Sequence, residues 1–326
     1  METSRSPLLI LREACELAQH VWPASYSNPF SRHDFTLPQL FACLVLRETM
    51  KLSYRRTEGL LRDTPQWLSE IGMSKAPDHN TLWRAFGYLL SPSRVDDVLE
   101  LCLIEFATHR IPRPPSRLKP LTIDSTCYEQ RHRSRHYDRV CRKINRRESG
   151  KYAEKPDPRD VNRARSRKAK SMPKLALAVA SSCHLIVALR VHIGTGSDSP
   201  DFLPLLKQAR DRIQFSVAVA DAGYDAEPSH RTSREELKVR SIIPPKIGRP
   251  TTKLPKEKYR RLMHHRFARK ADAKTYGQRA QSETVNSMMK RNLGDALRSV
   301  LPKRRKQEMT LRAMTHNLMI LAAMRG

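Results

Sequence analysis

The chain has no run of 18 apolar residues and no charged-then-apolar start ending in a small-residue cleavage site. Neither a membrane span nor a signal peptide is expected. Cysteine is sparse and scattered: Cys15, Cys43, Cys102, Cys127, Cys141 and Cys183 include no C-x-x-C pair. That spacing favours reduced cytosolic thiols over a zinc site or a disulfide framework, and hence a cytoplasmic location. The histidines form no H-E-x-x-H motif. Gly194-x-Gly196 is a turn, too short for a dinucleotide loop, and no internal repeat is present. Acidic residues are the telling shortage. Only 33 Asp and Glu face 61 Lys and Arg in 326 residues, a net charge of +28. Such a chain is expected to bind polyanions, nucleic acid first and acidic membrane second. Apolar content of 39% is compatible with a folded core.

Residues 1 to about 110 read as mostly helical. Leu8 to Leu17 is amphipathic, Thr36 with Pro38 marks a helix start, and Leu40 to Leu46 is an apolar run expected to be buried. Ser53 to Leu61 and Asp78 to Leu90 read as further helices. Short helices with surface arginines fit a helix-turn-helix-like unit or, equally, a plain bundle with solvated arginines. The proline-rich stretch 111–120 is a linker, dividing a helical domain over 1–115 from a second domain over 116–326. In the second domain Leu121 to Thr126 reads as a strand, and 128–173 as a basic insertion. Lys174 to Ala180 and His184 to His192 read as two strands joined at Ser181-Ser182. A helix then starts at Ser197 to Pro200, and Phe215 to Asp221 is a nearly continuous apolar strand of the kind buried on both faces. Arg231 to Leu237 is expected to be helical, Val239 to Ile243 extended, and the remainder helical, closing with a helix over Glu308 to Met324. Clustered strands followed by strand–helix alternation predict an α/β domain with a ribonuclease-H-like mixed sheet, preceded by the all-helical domain.

Asp124 and Asp221 stand at the ends of two different predicted strands. A carboxylate there is held by a rigid sheet and left open by the following loop. Singly, each reads more naturally as a turn cap. Near the C-terminus, Tyr276, Arg279, Glu283 and Lys290 form the pattern Y-x2-R-x3-E-x6-K. On one helix, steps of three, four and seven put all four side chains on one stripe. Arg279 could pair with Glu283 as an ordinary helix ion pair, whereas Lys290 is too far along for that and is expected to meet an external partner. Together, Asp124, Asp221 and Glu283 could hold two divalent ions about 3.5–4 Å apart, and such all-oxygen sites select Mg2+ or Mn2+. Tyr276 as a covalent recombinase nucleophile leaves both aspartates unexplained. Asp198 and Asp201 read as helix-start residues, His316-Asn317 as packing and capping in the last helix region, and His264-His265 and His132/His136 as solvated or phosphate-facing.

Thr122-Ile-Asp124-Ser-Thr, Ala220-Asp221-Ala-Gly-Tyr224-Asp225, the complete Tyr276, Arg279, Glu283, Lys290 signature and the Leu311-Arg-x3-His316-Asn317-Leu318 tail resemble a DDE transposase of bacterial insertion sequences. The resemblance is to the broad group containing insertion-sequence families four and five, and it covers most of the chain. Leu52-Ser-Tyr-Arg55 and Pro77-Asp-His-Asn-Thr81-Leu extend it into the helical front. The stretch 128–173 departs from the family in being longer and more basic. The resemblance implies a metal-binding catalytic triad of Asp124, Asp221 and Glu283, with Tyr276, Arg279 and Lys290 on transposon-end DNA. It implies Mg2+ or Mn2+ as two ions, double-stranded DNA partners (terminal inverted repeats and target), a homodimer or larger assembly on DNA, no membrane, and a nucleoid-associated location. The expected activity is metal-dependent cleavage and strand transfer. The competing expectations are a nuclease of the same fold without strand transfer and a non-catalytic DNA-binding derivative.

Overall fold

A computed structural model of the chain describes residues 2–22, 34–109, 120–130, 172–194, 196–246 and 254–325. Most of the basic stretch 128–173, the proline-rich linker, His132, His136 and Cys141 lie outside the described residues. The first 109 residues contribute helices α1 (Pro7–Val21), α2 (Leu37–Thr49), α3 (Tyr54–Asp63), α4 (Pro65–Glu70), α5 (His79–Tyr88) and α6 (Pro92–His109). Local chemistry explains the starts. Ser6, Ser53 and Asp78 accept backbone N–H groups in the first turns of α1, α3 and α5, and Thr36 forms a reciprocal capping box with Gln39 on α2. Ile10, Leu11, Ala14, Leu17 and Ala18 recur at helical spacing on α1 and are buried.

The sheet contains β1 (Leu121–Cys127), β3 (Pro173–Ala180), β4 (Ile186–Ile193), β5 (Val217–Ala220) and β6 (Arg240–Ile242) in the order β4-β3-β1-β5-β6. β1 is central: it runs antiparallel to β3 and parallel to β5, and β5 is parallel to β6. A small parallel pair joins β2 (Glu129–Gln130) to β7 (Ala296–Leu297). Helices α7 (Ser199–Arg212), α8 (Glu227–Arg231), α9 (Lys258–Ala268), α10 (Ala273–Tyr276), α11 (Ala280–Leu293) and α12 (Pro302–Arg325) complete the described elements.

Every residue of β3 is buried, as its apolar run requires. Its side chains alternate between two cores. Ala176 and Ala178 join Phe202, Leu205 and Leu206 of α7, while Leu175, Leu177 and Val179 join Val285 and Met289 of α11 and Met309 of α12. The first of these cores is continuous with the apolar faces of α1, α2 and α6.

The observed elements differ from the sequence reading in places. The apolar strand is Val217–Ala220, so Asp221 has already left the ladder. The helix expected over 231–237 starts at Glu227 and passes into a π turn over Thr232–Glu236. The β3–β4 turn places His184 at φ 60°. The last helix begins at Pro302, before Glu308. His316 and Asn317 do not cap it. They are fully buried, and Asn317 accepts from Ile186 N at 2.9 Å and donates to Ile186 O at 2.8 Å, locking α12 to β4. Between α2, α12 and β7, Glu48 and Glu308 are buried against Arg298 and Arg312, with Arg312 Nη2 2.8 Å from Glu308 Oε1.

Candidate active site

Ile123 of β1 pairs with Ala220 of β5 in parallel register. The next residues are Asp124 and Asp221, so two carboxylates follow directly where the β1–β5 ladder ends. Asp124 is still within β1, opposite Leu177. Asp221 caps the short 3-10 turn Ala222–Tyr224 and accepts from Gly223 N at 2.9 Å. A Cβ at residue 223 would lie 3.0 Å from Asp221 Oδ1 and 3.1 Å from Asp198 Oδ2, so glycine is what permits this close approach. Asp225, from the same motif, is turned elsewhere. It is buried, pairs with Arg260 of α9 at 3.1 Å and accepts from Lys246 N at 2.9 Å.

Glu283 arrives in the first turn of α11, which packs over β1 and β3. Asp124, Ser125, Thr126, Glu283, Asn286 and Lys290 are among the residues that line one open hollow. Burial pushes the Asp124 carboxyl up to about 6, opposed by a hydrogen bond from the Ser125 backbone and raised further by the neighbouring charges of Asp221 and Glu283. Arg279 partly offsets that repulsion. Its Nη1 lies 2.7 Å from Glu283 Oε1. Burial works against its charge, but Tyr276 and Glu283 outweigh that and hold its pKa above the ordinary value.

The four signature residues do not lie on one uninterrupted helix. Tyr276 closes α10, Gly277–Arg279 is a 3-10 turn, and Glu283 and Lys290 lie in α11. The tighter turn breaks the period on which a single stripe depends. Contact survives nevertheless. The Arg279 guanidinium lies 5.9 Å from the Tyr276 ring centre and pairs with Glu283. Lys290 stands in the hollow, with its ammonium 5.7 Å from the Tyr128 ring centre. Arg279 thus makes the ordinary helix ion pair, and Lys290 does not pair with Glu283.

Two groups escaped the sequence reading. Asn286, three residues after Glu283, donates from Nδ2 to Asp124 Oδ2 at 3.0 Å; the helical step of three from Glu283 was the signal for it. Asp198 occupies the N-cap position of α7 without making a side-chain cap bond. It instead accepts from Ser125 Oγ at 2.6 Å and pairs with the buried Lys174 at 2.6 Å. Asp201 is buried among Arg190, His192 and Lys174. Neither aspartate is a simple helix-start residue.

Among the described residues, no group of three or more His, Cys, Asp or Glu side chains is gathered to hold a metal ion; Glu283 is paired with Arg279. The chemistry of the donor set fits a divalent cation all the same. Asp124, Asp221 and Glu283 offer oxygen alone, and their mutual repulsion, felt at Asp124, is what a hard cation relieves. No described helix is long and apolar enough to cross a membrane.

No curated protein and no solved structure matches the chain. A family model described as "Transposase DDE domain" matches residues 117–318, more than half of the sequence. That span runs from just before β1 into α12 and contains Asp124, Asp221 and Glu283. By that match, which includes the sheet, the helix over it and all three carboxylates, the chain belongs to the DDE transposase family.

Proposed function

We propose that the chain is a transposase that binds transposon-end DNA, cleaves it with Asp124, Asp221 and Glu283, and joins the freed 3′-hydroxyl to target DNA. The observation that carries this reading is the position of Asp124 and Asp221 directly after Ile123 and Ala220, the last pair of the parallel β1–β5 ladder, with Glu283 lining the Asp124 hollow from α11. The central β1, antiparallel to β3 and parallel to β5, supports a ribonuclease-H-like catalytic domain over 116–326. Mg2+ or Mn2+, as two ions, would be held by Asp124, Asp221 and Glu283 and would supply Lewis acidity to the entering and leaving oxygens.

Water attacks the phosphorus at the transposon end, the P–O3′ bond breaks, and a 3′-hydroxyl and a 5′-phosphate remain. That hydroxyl then attacks a target phosphodiester, so one such bond forms as another breaks. Arg279 and Lys290 hold phosphate, and Tyr276 hydrogen-bonds to it or stacks on a base. Arg279 swings from Glu283 to the incoming phosphate, releasing the carboxylate for the site. The helical part, 1–115, binds the terminal inverted repeats. Exposed Arg55 and Arg56 on α3, with exposed Arg84 and Trp83 on α5, suit a phosphate backbone and a base face. The basic residues around 131–170 track the backbone, and two subunits hold two ends in register.

The test is a strand-cleavage and strand-transfer assay on labelled ends with Mg2+. Transfer products from the purified protein, lost in each alanine variant of the three carboxylates while DNA binding remains, are expected. Cleavage without transfer would make the protein a nuclease of the same fold. Binding without cleavage would make it a non-catalytic derivative.

A further inference from the structure

Glu283 and Asn286 stand three residues apart on α11, on one face of one turn, and both line the hollow that contains Asp124. Asn286 is only 7% exposed. Its Nδ2 donates to Asp124 Oδ2 at 3.0 Å, a contact between residues 162 positions apart. Its Oδ1 is buried with no hydrogen-bond partner among the described residues. An open buried acceptor costs about 1–3 kcal/mol, so packing alone would favour an apolar residue here. The amide also suits its place electrostatically. A carboxylate at 286 would add another negative charge beside Asp124, and a lysine would neutralise Asp124 and compete with any cation. A neutral donor holds the carboxylate without doing either.

We propose that Asn286 is a positioning residue for Asp124: it fixes the carboxylate against the helix that carries Glu283, and its open oxygen accepts a hydrogen bond from water brought in with a divalent cation. This rests on Asp124 belonging to the cation site. The clamp sets the orientation of Asp124 relative to Glu283, a task of the kind that outer partners of metal ligands perform.

The experiment measures Mn2+ binding to the full-length protein by the electron paramagnetic resonance signal of free Mn2+, beside end-DNA binding without metal. Asn286→Leu keeps the bulk and removes both polar atoms. It is expected to weaken Mn2+ binding about tenfold or more and to leave DNA binding unchanged. Asn286→Gln keeps the amide in an open hollow and is expected to recover much of the affinity, a rescue that a purely structural role would not give. If Asn286→Leu fails to fold by circular dichroism, Asn286→Ser, too short to reach Asp124, takes its place with the same expectation. Full Mn2+ affinity in the folded Leu or Ser variant overturns the proposal. Asp124→Asn separates the two levels. If it loses Mn2+ while Asn286→Leu does not, only the role of Asn286 fails. If it too binds Mn2+ as the unmodified chain does, the cation-site reading fails with it.

Discussion

Replacing Asp124 by Asn should stabilise the metal-free protein while ending its activity. The carboxyl is pushed up to about 6 from an ordinary 3.8, first by burial and then by Asp221 and Glu283. Folding therefore favours its protonated form. Above pH 6 the native state must hold an ionised carboxylate that it disfavours, at a cost of about 3 kcal/mol for the roughly two-unit shift. That figure is an upper one, because the side chain keeps some contact with the open hollow. The sign follows from proton counts. Between pH 3.8 and 6 the native state binds the proton that the unfolded chain has released, so the wild-type protein gains stability as pH falls through 6. Asparagine has the same shape, can still accept from Asn286, and has no such dependence. Urea unfolding at pH 8 should show Asp124→Asn more stable by up to about 3 kcal/mol, with roughly half of that gain gone at pH 5. Adding Mg2+ should raise the wild-type midpoint and leave that of the variant in place. A variant no more stable than wild type at pH 8, or a gain unchanged at pH 5, would refute the reasoning.

Other perturbations test the frame around the site. Asn317→Leu strands the buried N–H and C=O of Ile186 and should cost about 2–4 kcal/mol in urea unfolding; a loss near zero would mean that α12 does not depend on this lock. Glu308→Gln removes a buried charge from Arg312 and Arg298 and should cost about 3–5 kcal/mol by the same measurement. Burial pushes the His316 imidazole down to about 4 from an ordinary 6.5, so the unfolded chain binds the extra proton between those values. Its contribution is complete above pH 6.5 and is lost as pH falls towards 4. Titrating stability over that window should show a flatter acid limb for His316→Leu than for wild type, and parallel limbs would contradict the assignment.

Much of this architecture could be read from local pattern. Lys174 to Ala180 read as a strand, and the alternating side chains of β3 reach two cores. Asp124 and Asp221 stood out as strand-end carboxylates; β1 in fact continues to Cys127, and it is the end of its ladder with β5 that brings the two residues side by side. Contacts between distant residues carried no such local mark. Arg312 reaches Glu48 across 264 residues, and Asn286 reaches Asp124 across 162; the helical step from Glu283 puts Asn286 on the same face but does not name Asp124 as its partner, and nothing local marks the Arg312–Glu48 pair. The 3-10 turn at Gly277–Arg279 was hidden because Y-x2-R-x3-E fits a continuous helix equally well. Asp198 and Asp201 do stand at the start of α7, as read, but their pairing with Lys174 and Arg190 was hidden because those partners lie on β3 and β4.

The placement of three carboxylates in one working site is the centre of this account. The direct measurement is a crystal structure of the full-length protein with end DNA and Ca2+, which holds a Mg2+ site without supporting rapid turnover. Asp124, Asp221 and Glu283 should converge on shared cations, with Glu283 released from Arg279 and Arg279 on phosphate. Carboxylates more than about 10 Å apart, far beyond a two-metal spacing, or Glu283 still paired with Arg279 beside bound DNA, would contradict it.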